Sequence, residues 1–411
     1  MLKRFEETEQ VMRRCILLFL SICALPIQGQ DWKQFRGSDG SGILGHPALP
    51  AKLDMDEHVD WKQALPGRGL SSPIVVGDRV FVSCASGVNQ DRLHVRCHAV
   101  SDGALMWERQ FWATGRTMCH EKTSVAAPTP ASDGSRVFVL FSSNDLFCLD
   151  LEGRLQWLRG LTADYPNASN SLGMASSPIV IGDTLVVQSE NDSESFAVGI
   201  DADNGKNRWR MDRPKAANWT SPVVMDDAVS GKKLVILQSS KGVTAVDPAS
   251  GEIAWNYADG ASTIPSSVVA GGILLVPSNG ITALRPRSAD AEPEQLWRSS
   301  RLRPATPSPV VLGEHLYTVN QAGVVTCGSL KDGDRVWQLR LKGPFSGTPV
   351  GWGQYLYFVN EKGLLQVVDT ETEEGEIVSQ IDLGETVLCT PALVDGALFV
   401  RSDQHLWKIA E

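Results

Sequence analysis

Tryptophan recurs along the chain at Trp61, Trp107, Trp157, Trp209, Trp255, Trp297 and Trp337, at intervals of about 40 to 52 residues. A period of that length holds one small sheet per repeat, and such a sheet cannot bury both faces without neighbours of its own kind. The stretch from Thr220 to Trp255 displays the unit. Thr220 to Met225, Lys233 to Gln238, Gly242 to Val246 and Glu252 to Trp255 are four runs rich in Val, Ile and Thr, each too short for a helix. The turn Asp247-Pro248-Ala249-Ser250-Gly251 separates the last two.

Copies of this unit follow one another. The first runs from Ser72-Pro73 to Trp107, a second from Ala127-Pro128 to Trp157, and a third from Ser177-Pro178 to Trp209. The Thr220 stretch is the fourth. The fifth, Pro265 to Trp297, has Ser267 where the others have Pro, and the sixth spans Ser308-Pro309 to Trp337. In the seventh, Thr348-Pro349 and Asp369 fit, with Ile377 near the expected tryptophan. The eighth begins at Thr390-Pro391 and ends after three strands, while Val59-Asp60-Trp61 precedes the first copy as an orphan fourth strand. The pattern predicts an all-β, eight-bladed β-propeller over residues 59–411, its ring closed by an N-terminal strand that completes the last blade. Small residues at equivalent positions (Cys97, Cys148, Gly199, Ala245, Ala283 and Cys327) imply a close-packed neighbour at each.

The first 29 residues differ in kind. Arg13-Arg14, the apolar run Cys15 to Leu25, and Pro26 with Gln28-Gly29 form the pattern of a signal peptide, too short for a permanent membrane span. Ile22 stands where a lipidated Cys23 would need a small residue, so a lipoprotein is not expected. Residues 30–58 are left as an N-terminal extension packing on the propeller. Export to the periplasm or envelope exposes six cysteines to oxidation, and Cys84 with Cys97 on neighbouring strands is the one pairing considered. A formal charge of −10 and no basic run in the mature chain argue against nucleic acid as a partner. A closed ring has no need of a second copy, which makes a monomer the expected state.

Binding residues of a propeller sit where loops depart from the repeat. Between the first and second copies, 113–126 carries Arg116, Cys119, His120 and Lys122; the next connection carries Asn170, and the hairpin 190–195 carries Glu190, Asn191 and Asp192. The expectation is a polar pocket in which Arg116 and Lys122 hold an anion, His120 hydrogen-bonds or moves protons, and Asn170 with Asp192 orients the ligand. Trp219 before the fourth inner strand joins this candidate set. Glu190, Asn191 and Asp192 are the weak candidates for calcium; His94, Cys97 and His98 have no zinc-like spacing.

The run Gly242 to Trp255, repeated as Cys97 to Trp107 and Cys327 to Trp337, resembles the repeat of pyrroloquinoline-quinone (PQQ)-type propellers, with its tryptophan-docking motif A-x-D-x-x-x-G-x-x-x-W. Asp31-Trp32-Lys33-Gln34-Phe35-Arg36-Gly37 and the following Asp39-Gly40-Ser41-Gly42 look like the amino-terminal signature of exported bacterial members; His120-Glu121-Lys122 and Asn218-Trp219 are similar to that subgroup's sequences. The resemblance implies PQQ and calcium as cofactors to consider. The adjacent cysteine pair that clamps the quinone in the family's alcohol dehydrogenases is missing here. The chain is also similar in size to the propeller lipoprotein that assists outer-membrane protein assembly. The expected function is a ligand- or protein-binding scaffold, its partner a protein, glycan or small molecule. A quinone-dependent oxidoreductase and an envelope-assembly scaffold are the alternatives.

Overall fold

A computed structural model describes residues 31–45, 49–168, 172–227, 231–287, 291–394 and 396–411; the signal-peptide pattern and Asn170 lie outside the described residues. The strands form eight antiparallel sheets in sequence order around one axis. Blade 1, for example, is Ile74–Val76, Arg79–Ser86, Arg92–Ala99 and Leu105–Trp112. Blade 8 takes Ala392–Val394, Ala397–Arg401 and His405–Ala410 from the C-terminus and Val59–Ala64 from the N-terminal side, paired Lys62 to Trp407 and Ala64 to His405. This antiparallel pairing closes the ring.

The middle strands are buried on both faces and are therefore nearly continuous in Val, Leu, Ile and Phe. Outer strands face water: in Asn207–Asp212 only Trp209 is buried. Its ring lies against the next blade, where a Cβ on Gly251 would come within 2.6 Å of the indole, and its Nε1 donates to Pro248 O at 2.8 Å. Trp61, Trp107, Trp157 and Trp297 repeat the clasp on Val100, Leu151, Ala202 and Leu330 carbonyls. The small residues sit directly opposite the rings across the strand pair, Cys97 facing Trp107 and Gly199 facing Trp209. They are small because the indole takes their space; a Cβ on Gly199 would lie 2.1 Å from Trp209 Nε1.

At the axis a second contact joins the blades. In blades 1 to 7 the residue before the inner-strand proline position offers its backbone N–H to the hydroxyl of its counterpart in the next blade. Ser72 donates to Thr129, Thr129 to Ser177, Ser177 to Ser221, Ser221 to Ser266, Ser266 to Ser308, Ser308 to Thr348 and Thr348 to Thr390, all at 2.9–3.0 Å. The following proline holds the belt residue extended and has no N–H of its own to satisfy. In blade 5, Ser267 replaces the proline, and Gln238 Oε1 accepts both its N–H (2.8 Å) and its hydroxyl (2.7 Å).

Three sequence expectations shift. The second copy begins at Thr129-Pro130, because Thr129 supplies the belt hydroxyl; Ala127-Pro128 lies just before it. In blade 7 the tryptophan position belongs to Ser379, opposite Val367, and Ile377 lies beyond the bulge. There the N-terminal segment substitutes for an indole: Ser379 Oγ accepts from Leu53 N (2.9 Å) and donates to Leu53 O (3.0 Å), with Leu49 and Leu53 buried. Cys84 faces His94 and Cys97 faces Phe81, so the two point to opposite faces of the blade; both are free thiols.

Residues 31–45 cross the channel at the far end of the inner strands. Trp32 exchanges backbone hydrogen bonds with Val75 of blade 1 (2.8 and 2.9 Å), Lys33 O accepts from Ser132 of blade 2 (2.8 Å), and Ile43–Leu44 adds a parallel strand to Val350–Trp352 of blade 7. Phe35, between these anchors, floors the channel.

Gln238 and Ser267 generate a test of the belt. Gln238→Leu strands the buried Ser267 N–H and should lower unfolding free energy by about 1–3 kcal/mol. Adding Ser267→Pro removes that N–H and should recover part of the loss, as read by urea unfolding of the single and double variants.

Candidate functional site

Strand alternation turns two side chains per blade toward the axis, two residues apart. The belt hydroxyls form one tier, and the residues two positions earlier form a second at the mouth, including Leu70, Trp219, Ile264 and Leu388. With Phe35 below, they enclose a cavity of about 430 Å³, within the range of small-molecule sites. Each linked belt oxygen accepts from a neighbouring amide and keeps its own O–H to donate. Polar donors thus line the depth of the cavity, and its rim is mainly apolar, with Thr306 and Ser346 as the polar exceptions.

Two connections cover one side of the mouth. His120 N donates to Leu172 O (3.0 Å), and Gly173 approaches Cys119 so closely that a Cβ would meet it at 2.8 Å. Gly173 O in turn accepts from Trp219 Nε1 at 2.8 Å, which fixes the half-buried indole at the rim. Lys122 N donates to His120 Nδ1 (3.1 Å), so the neutral imidazole carries its proton on Nε2 and is a donor there. Lys122 itself spans the opening: its Nζ lies 3.0 and 3.2 Å from the Glu361 carboxylate of blade 7, whose Oε1 also accepts from Ser346 Oγ at 2.8 Å.

The structure thus gathers His120, Lys122 and Trp219 around one cavity. Arg116 is exposed on the same connection and does not line it, and Asp192 is exposed at a hairpin tip. The neighbouring acid is committed elsewhere. Glu190 pairs with Arg213 Nε at 2.7 Å, both side chains almost fully buried, and accepts from Asn218 Nδ2 at 3.0 Å and Gln188 Nε2 at 3.2 Å. Burial pushes the Glu190 carboxyl up, against the pull of Arg213. Asn191 folds its own hairpin through Glu194 O (2.7 Å) and Ser195 Oγ (2.9 Å). Asn218 links this network to the adjacent Trp219, so the buried pair underpins the rim.

Reactive groups are scarce at the cavity. Burial pushes the Cys389 thiol up to about 11; the Cys119 thiol is raised by burial too, with a Gln90 hydrogen bond opposing. Both are protonated at neutral pH and poor nucleophiles. Away from the cavity, Ser86 Oγ lies 2.7 Å from His94 Nε2, and His94 Nδ1 is 2.6 Å from Glu108 Oε1. That chain has the residue types of a hydrolytic triad, but Gly67 presses on the serine, a Cβ at Gly67 falling 2.9 Å from Ser86 Cβ, and Glu108 also serves Arg96 at 3.3 Å. It clasps blade 1 beneath the incoming connection. For a quinone-linked calcium ion the donors do not fit: among the described residues no three His, Cys, Asp or Glu converge, and Glu361 and Glu190 are neutralised by Lys122 and Arg213.

An eight-bladed ring with tryptophan clasps and an axial pocket defines a PQQ-like propeller repeat protein. The profile of the family described as outer membrane protein assembly factor BamB matches residues 91–339 and 279–374, and the chain belongs to this family. Among solved structures the chain is similar to BamB from Moraxella catarrhalis, with 16% identity over 86% of this chain and 97% of that one and a TM-score of 0.60. It is also similar to the quinohemoprotein alcohol dehydrogenase from Comamonas testosteroni, with 13% identity over 93% and 80% and a TM-score of 0.70. A europium-containing methanol dehydrogenase has 12% identity over 93% and 98%, with a TM-score of 0.57. At such identities the likeness is one of fold. No curated protein matches the chain. Among the described residues no helix is long and apolar enough to cross a membrane.

Sequence reasoning missed the belt, Phe35 and Glu361. The Ser-Pro and Thr-Pro pairs carried the first signal in plain view; Glu361 had none, since it meets Lys122 only after the ring closes.

Removing one partner of a buried ion pair leaves an uncompensated charge. Arg213→Met should therefore lower stability by about 3–5 kcal/mol, and its native state should show altered Trp219 emission as Asn218 loses its support; equilibrium unfolding followed by fluorescence reads both.

Proposed function

We infer that the chain is an exported, monomeric binding propeller that takes a small molecule into its axial cavity and carries out no quinone chemistry. The observation that carries this reading is the composition of that cavity: an indole at the rim, a tier of hydroxyl donors below it, and His120 Nε2–H and Lys122 at the mouth. Those groups suit a compact ligand with a flat apolar ring, which stacks on Trp219, and oxygen acceptors, which meet the donors. Lys122 exchanges Glu361 for a ligand anion as it binds, so the mouth ion pair opens only when occupied.

The oxidoreductase alternative lacks the adjacent cysteines and a set of free acidic oxygens. The envelope-assembly alternative is favoured by the family match and by one separate feature: the outer strands of neighbouring blades 1 and 2 expose Leu105, Met106, Trp112, Leu155 and Leu158, apolar residues of the kind that mark protein contacts.

Calorimetric titration with PQQ, with and without calcium, separates these readings. We expect no calcium-dependent saturable heat. Ligands found instead by ligand-observed NMR among aromatic acids should lose at least tenfold in affinity in Trp219→Ala. Tight PQQ binding that requires calcium would overturn the reading, and co-purification of an outer-membrane complex with no cavity ligand would transfer it to the outer strands.

A further inference from the structure

The side chains of the rim tier differ in size, and the order of the blades gives that difference a direction. The belt bonds run from each blade to the next around the axis, so every blade faces the one four places on. Two positions before the belt residue, blades 4 and 5 carry Trp219 and Ile264, and the facing blades 8 and 1 carry Leu388 and Leu70. Blades 2 and 3 carry Ala127 and Ala175, and the facing blades 6 and 7 carry Thr306 and Ser346. Large residues oppose large ones across one diameter, and small residues oppose small ones across the diameter at right angles to it. The mouth is therefore a slot, narrow between the Trp219–Ile264 wall and the Leu70–Leu388 wall and long from blades 2 and 3 to blades 6 and 7.

The two ends of the slot differ in chemistry. At blades 2 and 3 the lining is apolar, with Ala127 and Ala175 below and Leu172 of the covering connection beside them. At blades 6 and 7 Thr306 and Ser346 bring hydroxyls, and Ser346 Oγ lies 2.8 Å from Glu361 Oε1. Lys122 Nζ is held at that same carboxylate, 3.0 Å away, and is the one permanent positive charge among the described lining residues.

On the reading of the axial cavity as a small-molecule site, we propose that its shape selects a flat, elongated aromatic acid. The faces of the ring lie between the two apolar walls, one end reaches toward Ala127 and Ala175, and the carboxylate projects along the long axis to Thr306, Ser346 and Lys122. Leu70 and Leu388 set the thickness the site accepts, and Thr306 and Ser346 set the length.

Calorimetric titration of the protein with 2-naphthoate and 1-naphthoate tests the shape alone, because these isomers share charge and apolar surface. 2-Naphthoate is flat throughout, whereas the peri hydrogen of 1-naphthoate twists its carboxylate out of the ring plane and thickens the molecule. The 2-isomer should bind about tenfold more tightly. Leu388→Ala widens the slot and should close most of that gap by raising the affinity of 1-naphthoate. Thr306→Leu, at an exposed position, shortens the slot and should weaken 2-naphthoate by about tenfold. Equal binding of the two isomers, or a preference that Leu388→Ala leaves unmoved, overturns the slot and leaves the cavity reading standing. No saturable heat with either isomer overturns the cavity reading for aromatic acids and the slot with it. Should Leu388→Ala not fold, Thr306→Leu decides the matter, and an unchanged affinity for 2-naphthoate overturns the proposal.

Discussion

The joint between one blade and the next is the contact on which everything else in the molecule depends. It is made twice, with different chemistry at two radii. At the rim a tryptophan lies on a glycine turn of the following blade, and at the axis an amide donates to a serine or threonine of the following blade. Between the two radii the apolar faces of neighbouring middle strands pack together; the rim contact adds a large buried ring, and the axial contact adds about 0.5–1.5 kcal/mol per bond, and direction besides. A ring built from such joints is stable only when closed, which is why Val59–Ala64 pairs with His405–Ala410. The weakest rim joint, where Ser379 stands in for tryptophan, is also where Leu49 and Leu53 arrive from outside the repeat.

Because the belt residues line the channel as well as join the blades, the axial cavity is a by-product of assembly made specific by departures from symmetry. Seven rim-tier positions carry Leu, Ile, Ala, Thr or Ser, and one carries Trp219. The longest departures lie beside it, and their backbone contacts through Gly173 hold the indole in place. A buried ion pair, Glu190 with Arg213, stiffens the same sector through Asn218. The thiol of Cys389 beside the cavity is protonated, and the carboxylate of Glu361 is paired with Lys122.

The fold was legible because most joints impose the same demand on the sequence: a tryptophan, a small residue opposite it, and a glycine in the next turn. Where a demand could be met in two ways the reading slipped. Ala127-Pro128-Thr129-Pro130 offers two prolines, and only the hydroxyl at Thr129 tells which one enters the ring. A bulge moved the seventh tryptophan position from Ile377 to Ser379. Of the site, His120, Lys122 and Trp219 could be found because they stand in or beside long departures from the repeat. Arg116 and Asp192 belong to those same segments but point to solvent, a matter of local side-chain direction that loop sequences do not encode. Glu361 and Phe35 are distant in sequence and join the site only through closure of the ring and passage of the N-terminal segment across it.

The measurement that tests the cavity reading most directly is native mass spectrometry of the protein isolated from the cells that make it. A compact molecule should travel with the native chain, be released on denaturation, and be absent when Trp219→Ala is isolated in the same way. A native mass equal to the bare polypeptide in both forms, with the outer strands of blades 1 and 2 carrying a second polypeptide, would contradict it.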